Sequence, residues 1–215
     1  MPPDSDILAS LGLEALVANE QFGRARDGTL TDPLGARVVF ASPETTRGVQ
    51  HVMERETAGS WRLVMKSTGH SCGSKIAAKL DQRLTALGKP ALAELPLEAC
   101  PVFIERYVAV HGWGSLKLDL TDATQYGLIV ARLEHSYFVE ALPKTDDFAD
   151  PLLAGILQGF FEHISGQTLG CEELGCARRG APHCTFVITA PERLANVTGQ
   201  LGRAPVDTLI AQLRT

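Results

Sequence analysis

The sequence predicts an α+β domain, in which an antiparallel sheet of about four strands packs on several helices. The prediction follows from the order of the elements: the first half of the chain is rich in helical patterns, and the second half runs strand, strand, helix, strand, strand. We expect the helices to cover one face of this sheet. With 215 residues, of which 45% are hydrophobic and 21% charged, the chain can bury a core without disulfides.

Helical patterns occupy much of the first 88 residues. Apolar side chains recur at helical spacing over residues 6–19, and a second helix begins at Ser42-Pro43-Glu44 and runs to about residue 57. Its start is favourable because a serine caps the helix, a proline fits the first turn, and a glutamate faces the helix dipole. Between these helices, residues 37–40 form a short apolar run that predicts a strand.

A third helix is expected over residues 61–87, with Gly88 as its C-cap, although its apolar pattern is clear only in the second half. Gly69 and Gly73 interrupt the pattern, but two glycines four residues apart on a helix would let another helix approach closely. The Gly-Ser-Lys at residues 73–75 is not a phosphate-binding loop. That motif needs four residues between its glycines and a lysine before the serine or threonine.

The second half of the chain contains a helix over residues 96–111 and the four expected strands. Strict alternation of apolar and polar residues marks the first strand, and a proline and a glycine bound the long helix between the strand pairs. In chain order the remaining elements are a strand at 115–120, a turn at 122–125, a strand at 126–133, a short helical or bent connection at 135–142, the helix Pro151–Ser165, strands at 168–176 and Cys184–Thr189, and a short amphipathic helix at Val206–Leu213.

These elements divide into a helix-rich N-terminal part (residues 1–88), a domain with the binding candidates (89–190) and a C-terminal tail (191–215). The formal net charge of −5 argues against a nucleic-acid surface. There is no apolar run long enough for a membrane span and no visible signal peptide. Five cysteines, an odd number, indicate reduced thiols, so we expect a cytoplasmic protein.

The hairpin expected near the carboxyl end carries metal-ligating side chains. The stretch GCEELGCARRGAPHCTFV at residues 170–187 places Glu173, Cys176, His183 and Cys184 around a seven-residue loop, so folding brings the two sulfurs close. A soft divalent metal prefers thiolates, completed by imidazole or carboxylate. Alternatively, both cysteines are buried and reduced and pack as small apolar side chains. Glu173 is the better third ligand, since His183 and its neighbour Cys184 point to opposite faces of a regular strand.

A second candidate site is the motif His111-Gly112-Trp113-Gly114, at a junction between a helix and a strand. One interpretation is that the glycines shape a turn and Trp113 fills the core. The other is that Trp113 and His111 border a ligand cavity, the indole giving apolar area and the imidazole a polar anchor. Aromatic residues at helical spacing usually belong to the core, but those on the predicted inward faces are also ligand-binding candidates: Phe103, Tyr107, Tyr137, Phe138 and Phe160.

With the helix at residues 151–166, the motifs HGWG (111–114) and CARRGAPHCTF (176–186) resemble the 4-vinyl reductase (4VR) domain over residues 89–189. That domain occurs in bacteriochlorophyll-synthesis proteins, in cyanobacterial photosystem-associated proteins and in the sensor modules of aromatic-responsive transcription activators. The resemblance implies an α+β fold similar to haem-nitric-oxide sensors and to a vesicle-tethering subunit family. It also implies pairing as a homodimer.

The resemblance also implies a zinc site. In the sensor members an acid three residues before the first hairpin cysteine, both hairpin cysteines and a cysteine on the preceding helix hold Zn(II). Glu173, Cys176 and Cys184 match this pattern, whereas the place of the helix cysteine falls on Asp150. Either Asp150 supplies an oxygen ligand, or Cys171 or His183 substitutes, or the site is vestigial. A site whose ligands all come from protein would be structural.

The residues give no support for reductase chemistry. No Gly-x-Gly-x-x-Gly follows an expected strand, and no iron–sulfur cysteine run is present. The sequence therefore predicts a binding protein that holds a small hydrophobic ligand, either a tetrapyrrole or an aromatic compound, as carrier, assembly factor or sensor. The alternative implied by the resemblance is an enzyme or accessory subunit of (bacterio)chlorophyll 8-vinyl (formerly 4-vinyl) reduction that needs an external reductant.

Overall fold

The computed structural model describes residues 4–13, 21–57, 59–143 and 147–215. These residues form an α+β fold around a four-stranded antiparallel sheet, so the predicted fold class is confirmed. The sheet consists of β3 (Ser115–Asp119), β4 (Ile129–Glu134), β5 (Gly170–Gly175) and β6 (Cys184–Thr189) in the order β3–β4–β6–β5. The last two strands in the chain are the hairpin expected from the sequence.

Nine helices are present in the described part of the chain, together with a small ribbon and three short 3₁₀ turns. The helices are α1 (Asp4–Leu11), α2 (Pro43–Glu56), α3 (Trp61–Ala86), α4 (Cys100–Val110), α5 (Ala123–Tyr126), α6 (Tyr137–Ala141), α7 (Pro151–Ser165), α8 (Pro191–Thr198) and α9 (Val206–Leu213), and the ribbon pairs β1 (Gly23–Arg24) with β2 (Leu30–Thr31).

Two predictions in the first half of the chain need correction. The helix expected over residues 6–19 begins at Asp4 and ends at Leu11, and residues 14–20 lie outside the described part. Residues 37–40 do not form a strand: Arg37 makes a single bridge to Thr31, and Phe40 is 74% exposed. The apolar run has only this one partner in the small ribbon, and a strand needs a continuous ladder of backbone hydrogen bonds.

Helix α3 is uninterrupted, and its glycines make the close helix contact that the sequence predicts. Gly69 and Gly73 of α3 face Gly155 and Gly159 of α7. A Cβ atom built on any of the four would collide with a backbone carbonyl oxygen of the opposite helix. The two backbones therefore touch directly, which fixes the position of α7 relative to the N-terminal part of the chain.

Helices cover both faces of the sheet, which corrects the expectation of a single covered face. Along β6, Phe186 belongs to the main core with α3, α4 and α7, whereas its neighbour Val187 packs with Leu209 of the C-terminal helices. Every residue of β6 is buried. A strand buried on both faces is nearly continuously apolar, as the sequence CTFVIT of β6 is.

Strand β4 begins later than expected. The predicted strand over residues 126–133 runs from Ile129 to Glu134, because residues 123–126 form one helical turn instead. Gly127 ends this turn with φ of 60°, a left-handed conformation that glycine adopts without strain.

Candidate functional site

The β5–β6 hairpin contains an irregularity that determines which side chains meet. Glu173 pairs with Phe186, but Gly175, not Leu174, pairs with Thr185, so Leu174 is an extra residue in β5. On a regular strand, residues three apart point to opposite faces. The extra residue reverses this parity, and Glu173 and Cys176 face the same side of the sheet.

The reversed parity gathers three ligating side chains. The ligating atoms of Glu173, Cys176 and Cys184 all lie within 4.8 Å of one another, and the two sulfurs are 3.8 Å apart. All three residues are buried. The backbone N–H of Ala177 donates to the sulfur of Cys184 at 3.4 Å.

Asp150, which directly precedes α7, borders this cluster. Its backbone N–H donates to Oε2 of Glu173 at 3.0 Å, and its carboxylate accepts from the hydroxyl of Ser136 at 2.8 and 3.0 Å. Asp150 is 1% exposed. The start of α7 is thus held to the hairpin by the same residue that the sequence comparison placed at the missing helix cysteine.

The cluster crowds four acidic groups into a buried space. Hydrogen bonding from the Cys184 thiol lowers the pKa of Cys176 to about 5, whereas donating to Cys176 raises the pKa of Cys184. Burial raises the pKa of Asp150 to about 6. Burial and the charge of Asp150 raise the pKa of Glu173 well above its usual value. The four groups can all be ionised together only if a positive charge lies among them.

The donor set fits a soft divalent cation. Two sulfurs on a tetrahedral zinc ion with Zn–S bonds of about 2.3 Å lie roughly 3.8 Å apart, as the sulfurs of Cys176 and Cys184 do. Oε1 of Glu173 is buried and has no hydrogen-bond partner among the described residues, so it is available as a third ligand. Asp150 is placed to be the fourth. The other two candidates, Cys171 and His183, do not belong to the three-residue cluster in the described part of the chain.

The aromatic candidates from the sequence divide between two cavities and the core. Four of the seven, Tyr107, His111, Trp113 and Tyr137, line a cavity of about 650 Å³. Phe138 lines a second, smaller one. Phe103 and Phe160, 4% and 0% exposed, lie in the main core and line neither of these two cavities.

One wall of the larger cavity is a stack of rings around His111. Its imidazole stacks on Tyr107 with 3.9 Å between ring centroids, and Trp113 and Phe22 lie 5.9 and 5.5 Å away. Nδ1 of His111 lies 2.8 Å from the carbonyl oxygen of Tyr107. Because a carbonyl oxygen only accepts, Nδ1 carries a proton, and in the neutral ring Nε2 is an acceptor.

Asp32, which the sequence analysis treated only as part of a turn, completes this wall. Its Oδ1 accepts from the backbone N–H of Ala36 at 2.6 Å, as a turn aspartate does. Its Oδ2 lies 3.5 Å from Nε2 of His111, and neither atom has a hydrogen-bond partner among the described residues. Burial and the nearby Asp32 charge raise the pKa of Tyr107. No sequence pattern indicated that this turn meets the HGWG motif.

Cationic side chains also line the larger cavity. Arg37, Lys75 and Lys79 are among its described lining residues, and Asp32 is the only acid there. Arg37 and Lys75 are exposed, which places them at the solvent side, away from the buried Asp32. The cavity therefore has an aromatic wall, a buried polar pair and a positively charged opening.

The smaller cavity has a volume of about 220 Å³ and lies between α2, the start of α3 and the start of α7. Its walls are almost entirely apolar, with Trp61, Met65, Phe138 and Leu152 among them. Gln50, 8% exposed, is its buried polar residue, and Oε1 of Gln50 has no hydrogen-bond partner among the described residues.

No helix in the described part of the chain is long and apolar enough to cross a bilayer, in agreement with the sequence. A family model for the 4VR (vinyl-4-reductase) domain matches residues 129–190, a range that contains β4, α7 and the whole hairpin. The matched range lies within the region that carries the 4VR resemblance, which is confirmed.

Among solved structures, the chain is similar to the phenol-responsive sensory domain of the transcription activator PoxR, crystallised with phenol. The TM-score is 0.66 at 17% identity, over 95% of this chain and 99% of that one. A vinyl-4-reductase family protein from Methanocaldococcus jannaschii gives a TM-score of 0.47 at 13% identity, over 83% of this chain and 94% of that one. No curated protein sequence matches significantly. The first likeness shows a shared fold along almost the whole chain.

Proposed function

The chain belongs to the 4VR domain family through residues 129–190, and we propose that it is a small-molecule-binding sensory or carrier module. The observation that carries this proposal is the larger cavity. Its volume of about 650 Å³ lies within the range of small-molecule sites, roughly 300 to 1,000 Å³. It combines apolar aromatic walls with few polar groups, as such sites do.

The lining of the cavity favours an aromatic anion as ligand. A flat ring packs against Trp113 and Tyr107, and a carboxylate is attracted to Arg37, Lys75 and Lys79. At the buried end, Nε2 of His111 and Oδ2 of Asp32 lack hydrogen-bond partners among the described residues. A ligand hydroxyl that reaches this pair would recover the free energy that two unsatisfied buried groups cost.

A tetrapyrrole is the other ligand class expected from the sequence, and the lining of this cavity favours it less. A metallated tetrapyrrole would use His111 as its axial ligand. Nε2 of His111 is buried and lies 3.5 Å from the Asp32 carboxylate, so the axial approach is obstructed.

We further propose that Cys176, Cys184, Glu173 and Asp150 hold a zinc ion or a similar divalent cation. The ion would supply the positive charge that the buried acidic cluster needs and would tie the hairpin to the start of α7. With all four ligands from protein, the site has no open position for a substrate, so its role is structural. Support comes from the sulfur spacing and from the unpartnered Oε1 of Glu173 in the described part of the chain.

Pairing as a homodimer is also proposed. Large apolar side chains are exposed on the described part of the chain, including Val39, Phe40 and Leu63 at 87%, 74% and 71%. Exposed apolar surface of this kind is typical of an interface when it is contiguous. Sedimentation equilibrium of the parent chain and of Leu63→Glu tests this, with dissociation expected in the variant.

The experiment on function uses 4-hydroxybenzoate as probe and the emission of Trp113 as reporter, in a Trp61→Phe background that leaves Trp113 as the single tryptophan. We expect a saturable change in emission. Lys79→Glu should weaken binding by about tenfold, since it removes a cation at the opening and adds a charge that repels the probe. Arg203→Glu, an exposed charge reversal that is not among the lining residues, is the matched control. Equal affinities in both variants would contradict the charged opening, and no saturable signal would contradict the site.

A further inference from the structure

We infer that the smaller cavity is a second, independent binding site, which takes a compact neutral molecule with an apolar body and one hydrogen-bond donor. This inference does not depend on the ligand of the larger cavity. It rests on the walls of the smaller cavity, on one buried polar atom and on the partition between the two cavities.

The walls determine the body of the ligand. The cavity is lined by apolar side chains from three helices, among them Met53, Trp61, Met65 and Leu152. No charged side chain is among its described lining residues, so an ion would lose its hydration without a partner. A volume of about 220 Å³ suffices for one ring, since an apolar cavity of about 150 Å³ accepts benzene.

Gln50 determines the donor. The amide nitrogen of Gln50 donates to Oε1 of Glu54 at 2.7 Å, which fixes the orientation of the amide group. The carbonyl oxygen Oε1 is then the free atom, and it is buried without a partner among the described residues. A hydroxyl or amine of the ligand can donate to this oxygen after a small rotation of the side chain.

The two cavities are separated by a hydrogen-bonded partition. The hydroxyl of Tyr137 donates to the carbonyl oxygen of Ala41 at 3.3 Å and lies 2.8 Å from the hydroxyl of Thr46. Ala41 is the one described residue that lines both cavities. Along α6, Tyr137 faces the larger cavity and the next residue, Phe138, faces the smaller one. Each site can therefore be filled without the other.

The chain has two tryptophans, and each cavity contains one of them. Trp61, 5% exposed, reports on the smaller cavity, and Trp113 reports on the larger one. A Trp113→Phe variant thus observes the second site alone, whereas Trp61→Phe observes the first.

The test titrates benzyl alcohol and ethylbenzene, which have equal numbers of heavy atoms, onto the full-length Trp113→Phe variant. We expect a saturable change of Trp61 emission, with benzyl alcohol binding about tenfold more tightly because only it donates to Gln50. In Gln50→Leu the two probes should bind with nearly equal affinity. A preference that survives in Gln50→Leu would overturn the assignment of the donor.

A blocking variant with a matched control decides whether the cavity itself is occupied. Val49 lines the cavity and is 53% exposed, so Val49→Phe should narrow its entrance without disturbing the core. Val52, on the same helix and 47% exposed, is not a lining residue, and Val52→Phe is the control. Loss of at least tenfold in affinity in Val49→Phe alone supports the second site.

Unchanged affinity in Val49→Phe, or no saturable Trp61 signal in a folded Trp113→Phe protein, would overturn the inference. Failure here is distinct from failure of the proposed function, because 4-hydroxybenzoate is expected to change the emission of Trp113 and not that of Trp61. Each arm therefore succeeds or fails by itself.

Discussion

Glu173 and Cys176 face the same side of the sheet although three residues separate them in sequence, because Leu174 is an extra residue in β5. This single irregularity turns a hairpin with two cysteines into a three-donor cluster. The same shift sends Leu174 to the opposite face, where it packs with the C-terminal helices. One extra residue thus serves both the metal cluster and the second core layer.

The first prediction concerns the metal itself. Protein purified without added metal should contain about one equivalent of zinc by elemental analysis. Cys176→Ser/Cys184→Ser should contain none and should melt at a lower temperature, because structural metal contributes directly to folding. Cys72→Ser is the control, since Cys72 is exposed and lies outside the cluster. Metal retained in the double variant would rule out this site.

The second prediction concerns the position before α7. Asp150→Cys should bind zinc more tightly than the parent, because a third thiolate suits a soft cation better than a carboxylate. Asp150→Ala should bind more weakly. Competition with a chromophoric chelator measures both affinities. Asp207→Cys, which adds a thiol to the distant helix α9, controls for unspecific binding. If Asp150→Cys and Asp207→Cys have the same affinity, Asp150 is not at the site.

The third prediction concerns the contact between α3 and α7. Gly73→Ala should destabilise the protein by about 1–3 kcal/mol or more, because the added Cβ collides with the backbone of Ile156 and the helices must separate. Gly48→Ala, in the middle of α2 with no atom within 4 Å of the added Cβ, should instead stabilise by about 0.5–1 kcal/mol. Urea unfolding measures both. Equal effects would show that helix propensity alone decides.

The sequence predicts the fold class and the hairpin well because local patterns encode them. The period of apolar residues identifies α7, and the burial of Glu173, Cys176 and Cys184 follows from the spacing of the hairpin. The second covered face of the sheet was missed. The near-continuous apolar run of β6 was its signal, but periodicity cannot show which helix covers which face.

The polar pair in the larger cavity could not be predicted, because it joins distant parts of the chain. Asp32 and His111 meet across 79 positions of sequence, and the turn pattern around Asp32 is fully explained by its bond to Ala36. Likewise the core positions of Phe103 and Phe160 could not be distinguished from cavity positions, since both require an inward-facing aromatic residue. Only tertiary packing decides which inward face adjoins an open space.

The fourth prediction separates a cavity residue from a core residue. Trp113→Ala should weaken binding of 4-hydroxybenzoate while the melting temperature changes little, because Trp113 is only partly buried and lines the larger cavity. Phe160→Ala should lower the free energy of unfolding by about 3–5 kcal/mol, because Phe160 is fully buried. Isothermal titration and thermal unfolding measure the two properties. A large loss of stability in Trp113→Ala would assign that residue to the core.

The fifth prediction concerns acid stability. Glu162 of α7 interacts with the imidazole of His70 on α3, and its Oε1 accepts from the backbone N–H of Leu169 at 2.9 Å and from Gln158 at 3.3 Å. Burial acts to raise the pKa of Glu162, but these hydrogen bonds outweigh it and hold the pKa below the usual 4.5. The folded state therefore binds this proton less readily than the unfolded state does.

A carboxyl with a depressed pKa stabilises the fold above its unfolded pKa, and this contribution is lost as the pH falls below about 4.5. Glu162→Gln should therefore be less stable than the parent at pH 7, and the difference should shrink as the pH is lowered through this range. Urea unfolding of both proteins across the acid range measures it, and the subtraction cancels every other titrating group. A difference that stays constant with pH would show that Glu162 gains nothing from ionisation in the folded state.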